Sequence, residues 1–253
     1  MMLKINKTTG VLILVMSTLV ALVFFGVTYY YRYDNKSIDP RVVKANELYE
    51  QYNELAKSSN YQAVFKLMDS IEYIYSNYPH YKESFEVGIL YNNRAAAYLA
   101  MALKQNNSKE TKDSLLNLSE INVQRGIEIY TTWFSVWGHK NPEEIKINLR
   151  AYFSPHDSAF QGKNVDRYVN KRTKGIVEAQ LEINRRLSVS YTNLGMVYRH
   201  KEQYDDAVKE YFKALEYWPD NLTAENNLNI LLNQPLKKPS VIRRLFPKDR
   251  LNR

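Results

Sequence analysis

Four histidines, His80, His139, His156 and His200, are the residues best suited to proton transfer or metal ligation. They are scattered, and no two stand at the i, i+4 spacing by which one helix offers two imidazoles to a metal. Ser154, Pro155, His156 and Asp157 run consecutively and could be drawn as nucleophile, base and orienting acid. Such triads converge from distant parts of a chain, so this run reads as a turn after a helix. The paired carboxylates Glu143 and Glu144 follow Asn141-Pro142, where anions answer the positive end of a helix dipole. No glycine-rich phosphate loop, nucleophile elbow or zinc-binding helix motif occurs. The absence of cysteine excludes a disulfide framework, a thiolate zinc site and a cysteine-linked lipid anchor. The expectation is a protein with no catalytic residue, cofactor or metal.

Function then rests on surfaces, and charge says which. The net charge is +8. Lys4, Lys7, Arg32 and Lys36 against Asp34 give the first 36 residues +3. Lys237, Lys238, Arg243, Arg244, Lys248, Arg250 and Arg253 against Asp249 give residues 235–253 +6. The body between them is near neutral, which is not the footprint of a nucleic-acid-binding domain. The basic tail, with Leu245 and Phe246 beside its arginines, suits an anionic membrane surface, an acidic partner, or simply solvent.

The scaffold reads as helical throughout, with few Gly and Pro and twenty-one Tyr. Residues 1–10 form a short basic start. Residues 11–31 carry no charge, and about 20 apolar residues suffice to cross a bilayer. Tyr29, Tyr30, Tyr31 and Tyr33 follow as an interfacial aromatic belt, and no small-residue cleavage site appears. The expectation is an uncleaved single-pass anchor, its N-terminus in the cytoplasm by a small cation bias and its remainder outside, periplasmic in a diderm bacterium. Residues 34–234 read as one helical domain, with hairpins at about 40–79, 85–134 and 165–219 and a cap helix at 221–233. Asp39-Pro40 reads as the cap of the first helix, residues 104–112 as an exposed loop, and residues 135–163 as an aromatic insert. Residues 235–253 read as an extended basic tail.

One stretch carries a recognisable pattern. Tyr191, Leu194, Gly195 and Tyr198, then Ala207, Tyr211, Ala214 and Pro219, follow the spacing W-x2-L-G-x2-Y…A-x3-F…P, with Tyr for Trp and Phe. The first set falls on one face of a first helix and the second on a partner helix, while Pro219 closes the pair. Residues 188–221 therefore resemble a tetratricopeptide repeat. Tyr91, Arg94, Ala95 and Tyr98 read as a weaker copy, with Arg94 where the family has Leu.

The resemblance implies an all-α helical-hairpin solenoid that binds proteins and does no chemistry. It places Val189, Thr192, Met196, Arg199 and His200 on the concave face, with Ile89, Asn92, Ala96, Leu99 and Ala100 from the weaker copy. The Lys/Asn/Arg carboxylate clamp of the family is missing at most of these positions, so no such clamp is expected. The reading is a membrane-anchored scaffold or adaptor for a cell-envelope assembly such as a secretion, motility or maturation machine. The competing readings are a receptor or chaperone-like subunit for transiting polypeptides, and an enzyme hidden in the aromatic insert.

Overall fold

The computed structural model describes residues 16–28 and 37–239. Residues 16–28 are helical (α1), with Leu19, Val20, Leu22, Val23, Phe24 and Phe25 all exposed. The remainder of the expected 11–31 span, the basic start and the tail beyond residue 239 lie outside the described residues. Among the described residues no helix is long and apolar enough to cross a membrane.

The body comprises α2 (Val43–Lys57), α3 (Tyr61–Ser76), the single turn α4 (Pro79–Lys82), α5 (Phe85–Ala102) and α6 (Lys109–Trp137). It continues with α7 (Pro142–Arg150), a 3-10 turn (Ser158–Phe160), α8 (Val165–His200), α9 (Tyr204–Tyr217) and α10 (Leu222–Leu231). Helices α2 and α3, α5 and α6, and α8 and α9 pack as hairpins; α8 lies against α5 and α6, and α10 closes on α9 and α8. No strand occurs among the described residues. The apolar stripe of α3 shows what drives the packing. Val64, Met68, Ile71 and Tyr75 recur at helical spacing and are all buried, each contributing on the order of 1.5–3 kcal/mol.

Local chemistry sets the boundaries. Asn60 Oδ1 accepts from the Ala63 amide (3.2 Å), and Asn221 Oδ1 from the Ala224 amide (3.1 Å). Asn141 and Glu144 form the reciprocal capping box expected of their spacing. Two expectations are corrected. Ser108 Oγ accepts from the Thr111 amide, so α6 starts at Lys109 and the polar run 109–112 is its first turn rather than loop. Asp39 caps no helix, because Arg41 claims its carboxylate and α2 begins only at Val43. In the closing helix Leu228 is buried and Asn229 is buried beside it, donating to the Pro235 carbonyl, while Leu232, just past its end, is exposed. Residues 234–239 run extended, pinned where Asn226 pairs with both the amide and the carbonyl of Lys237 (2.8 and 3.0 Å).

Two helix crossings share one device. A Cβ added at Gly195 would stand 2.6 Å from the Tyr211 ring, and one at Gly88 would stand 2.5 Å from the Tyr130 ring. Both tyrosines are fully buried. Aligning the glycines puts Val87-Gly88-x2-Tyr91 on Leu194-Gly195-x2-Tyr198. The second hairpin is thus registered seven residues earlier than Arg94-Ala95-x2-Tyr98 suggests. Its two crossing partners lie 42 residues apart against 16, because α5 and α6 both extend past the crossing. Ala95 sits in that extension, buried, its carbonyl accepting from Ser119 Oγ (2.8 Å). Arg94 departs from the family pattern because it reaches back to α3, pairing with Asp69 (2.8 Å) and Glu72 (2.9 Å).

The insert folds back onto the first hairpin through Arg41. Arg41 Nη2 donates to Asp39 Oδ2 (2.8 Å), and Nη1 donates to the Tyr152 carbonyl (3.0 Å) and Asp157 Oδ2 (3.1 Å). The rings of Tyr78, Phe153 and Phe160 surround the guanidinium at 4.6–5.2 Å. His80, its side chain 2% exposed, stacks on Tyr152 and lies 3.4 Å from Arg41 Nη2 and 3.7 Å from Asp39 Oδ2. Burial lowers the His80 pKa; the Asp39 carboxylate pulls upward, while Arg41 and Arg172 push it further down. The net result is an imidazole held neutral below its ordinary range.

Three expectations follow. Gly88→Ala and Gly195→Ala each cost about 1–3 kcal/mol in urea denaturation, because a buried ring must give way. Gly175→Ala in α8, where nothing lies within 4 Å, gains about 0.5–1 kcal/mol of helix propensity. For His80, the unfolded chain binds the proton more readily than the folded one. Stability is therefore full above the unfolded value near 6.5 and falls as pH drops toward the lower folded value. Denaturation midpoints from pH 8 to 5 should show this limb, and His80→Gln should flatten it.

Candidate functional site

One row of helices is formed by α2, α5, the C-terminal half of α8, and α10, linked in that order by hydrogen bonds. At its heart, Asn92 Oδ1 accepts from Ser190 Oγ and Asn193 Nδ2, both at 3.0 Å. One repeat further on, Arg199 Nη1 donates to Asn227 Oδ1 of α10 (2.8 Å). With Gly88 aligned on Gly195, Asn92 and Arg199 are equivalent positions, each tying one first helix to the next. The same alignment brings Ile89 and Asn93 to the positions of Met196 and His200.

The eight residues expected to line the groove divide. Asn92, Leu99 and Thr192 are buried, a correction to their placement on an open face. Leu99 packs with Leu116 and Val197, and Thr192 lies beneath the start of α10, accepting from Asn221 Nδ2 (2.9 Å). Ala96, Val189, Met196, Arg199 and His200 remain partly exposed, and Ala100 is exposed. Met196 is shared between two apolar clusters, and burial, then Arg199 and Lys112, lower the His200 pKa. The residues of the repeat pattern pack as follows. Leu194, Ala207, Tyr211 and Ala214 are buried, Tyr191 stacks on Tyr217 (5.5 Å), Tyr198 accepts from Gln124, and Pro219 follows the end of α9.

Convergent charge lies elsewhere. A cavity of about 140 Å³ between the first hairpin, α5 and α8 is lined by Asp39, Asn46, Tyr75, Tyr81, Glu86, Lys171 and Arg172, among others. Arg172 forms a two-pronged pair with Glu86 and lies 4.5 Å from the Tyr81 ring centroid. Burial raises the Glu86 pKa, but the charge and hydrogen bonds of Arg172 outweigh it and hold the carboxylate below its ordinary range. Asp39 behaves alike: burial raises it, and the His80 and Arg41 contacts prevail. Each of these carboxylates has an arginine of its own, an arrangement that fixes helices in register.

The aromatic insert holds no such cluster. His139 and His156 are exposed, and Ser154-Pro155-His156-Asp157 is the expected turn, with Ser154 Oγ accepting from the His156 amide (3.2 Å). Among the described residues no group of three or more His, Cys, Asp or Glu could hold a metal ion. Sequence reading missed the set Asp39, Arg41, His80, Glu86 and Arg172, whose members meet only in the fold. A signal did exist in Val87-Gly88-x2-Tyr91, which repeats the spacing of the clearer copy.

No curated protein and no solved structure matches the chain. Around the Gly195–Tyr211 crossing the outcome is different: residues 188–221 match the family model for the tetratricopeptide repeat, so the array described above carries a repeat of that family.

Proposed function

We propose that the chain is a membrane-anchored scaffold or adaptor that binds other proteins along its concave face and does no chemistry. One observation carries the reading. A tetratricopeptide repeat lies in a longer helical array whose Ile89, Val189 and His200 remain partly exposed along one flank. A partner helix or extended segment is the ligand such a flank fits.

The anchor is the uncharged run 11–31, supported by the exposed apolar side chains of α1. The cation bias favours the N-terminus in the cytoplasm and the array outside, serving an envelope assembly. Tethering raises the local concentration of the array, so weak contacts suffice. The basic tail adds affinity for anionic lipid or an acidic partner.

Three measurements test this. The full chain should stay with membranes through alkaline carbonate extraction, and release would remove the anchor. A protease added outside intact cells should cut at residues 103–108; protection until the membrane is opened would reverse the orientation. In-cell crosslinking should capture a partner that Val189→Arg loses by about tenfold, the scale of one disrupted contact, with the unfolding midpoint unchanged. Capture indifferent to Val189→Arg would move the binding face elsewhere.

A further inference from the structure

Arg186 stands apart from the arginines around it. Arg41, Arg94, Arg125 and Arg172 each hold a carboxylate, and the adjacent Arg185 pairs with Glu182. Arg186 has no hydrogen-bond or ion-pair partner among the described residues, and its Nε is buried without an acceptor. It lies on α8 one turn before Val189, on the face that carries Ser190 and Asn193 against α5.

Two phenols share its surroundings. Tyr49 of α2 and Tyr130 of α6 both lie within electrostatic reach of Arg186, and of each other. Tyr49 Oη accepts from Asn93 Nδ2 (3.1 Å), and its own proton has no acceptor among the described residues. The Tyr130 hydroxyl is buried with no hydrogen-bond partner among the described residues. Helices α2, α6 and α8 thus place two phenols within electrostatic reach of a guanidinium that has no carboxylate partner among the described residues. Its two Nη groups are not buried, so the fork is open to a group from outside the chain. The group that answers a planar fork of donors is a carboxylate.

We propose that Arg186, with Tyr49 beside it, receives an Asp or Glu side chain of a partner polypeptide laid across the concave face between α2 and α8. The inference rests on the protein-binding reading above and names the chemistry of the partner. It uses none of the positions by which the repeat itself lines its groove: Arg186 precedes the repeat, and Tyr49 belongs to the first hairpin.

The test uses the full chain in lipid nanodiscs with fluorescein-labelled hexaglutamate as probe and hexaglutamine as its neutral counterpart. Hexaglutamate should bind with an affinity that weakens with salt, and hexaglutamine should not. Arg186→Gln should weaken hexaglutamate binding by at least about tenfold, and Arg186→Lys should fall between, keeping the charge but losing the fork. Tyr49→Phe should lose about two- to fivefold, the worth of one hydrogen bond. Lys209→Gln, an exposed charge on α9, should change nothing. The unfolding midpoint of Arg186→Gln should hold or rise, since an unpaired charge is removed.

Several results would overturn the inference. These are parental binding of hexaglutamate by Arg186→Gln, equal weakening by Lys209→Gln, and earlier melting of Arg186→Gln, which marks a structural arginine. Acetate competing at equal carboxylate concentration would mark a small-anion site instead. The two readings fail separately. Crosslinked capture of a partner with binding blind to Arg186 removes this site and leaves the scaffold; Arg186-dependent binding with no partner captured does the opposite.

Discussion

The array depends on a tyrosine ring laid flat where a side chain is missing. At Gly88 and at Gly195 two helices approach so closely that a single methyl group would collide with the ring of Tyr130 or Tyr211. The constraint is steric, and it fixes both the separation and the rotation of each pair. Everything else accommodates it. The second hairpin lengthens both arms beyond the crossing, and Ser119, Ala95 and Val123 fill the added contact. The third runs only a short way past its crossing, to His200, and is closed by α10.

The second organising interaction is electrostatic. Arg41, buried among three rings and shared by Asp39, Asp157 and a backbone carbonyl, ties the start of the body to an insert more than a hundred residues away. Nearby, Arg172 holds Glu86. Paired charges of this kind add little net stability, but a slipped alternative would strand a bare charge in an apolar site. They select one arrangement of insert against hairpin where apolar contacts alone would tolerate several.

Much of the fold was legible because helical patterning is local. The capping box at Asn141, the stripe on α3 and the spacing from Tyr191 to Pro219 each announce an element without reference to the rest. The register of the second hairpin was not. Helix α5 contains two similar spacings seven residues apart, and only the position of Tyr130 across the crossing separates them. Asp39 misled for a related reason. Its residue type suits a cap, but a stronger donor two positions on takes the carboxylate. Along the first helices, family positions could not show that Asn92, Leu99 and Thr192 are consumed by helix-to-helix contacts. Arg186 left no trace in the sequence, since an unpaired arginine looks like any other until its neighbours are known.

Helix α8 is 36 residues long and unbroken through Gly175, a rod of about 54 Å. Its first half carries the insert and its second half is the opening helix of the repeat. One continuous element therefore frames two surfaces, with no loop between Tyr168, packed with the insert, and Tyr198, hydrogen-bonded to Gln124 of α6.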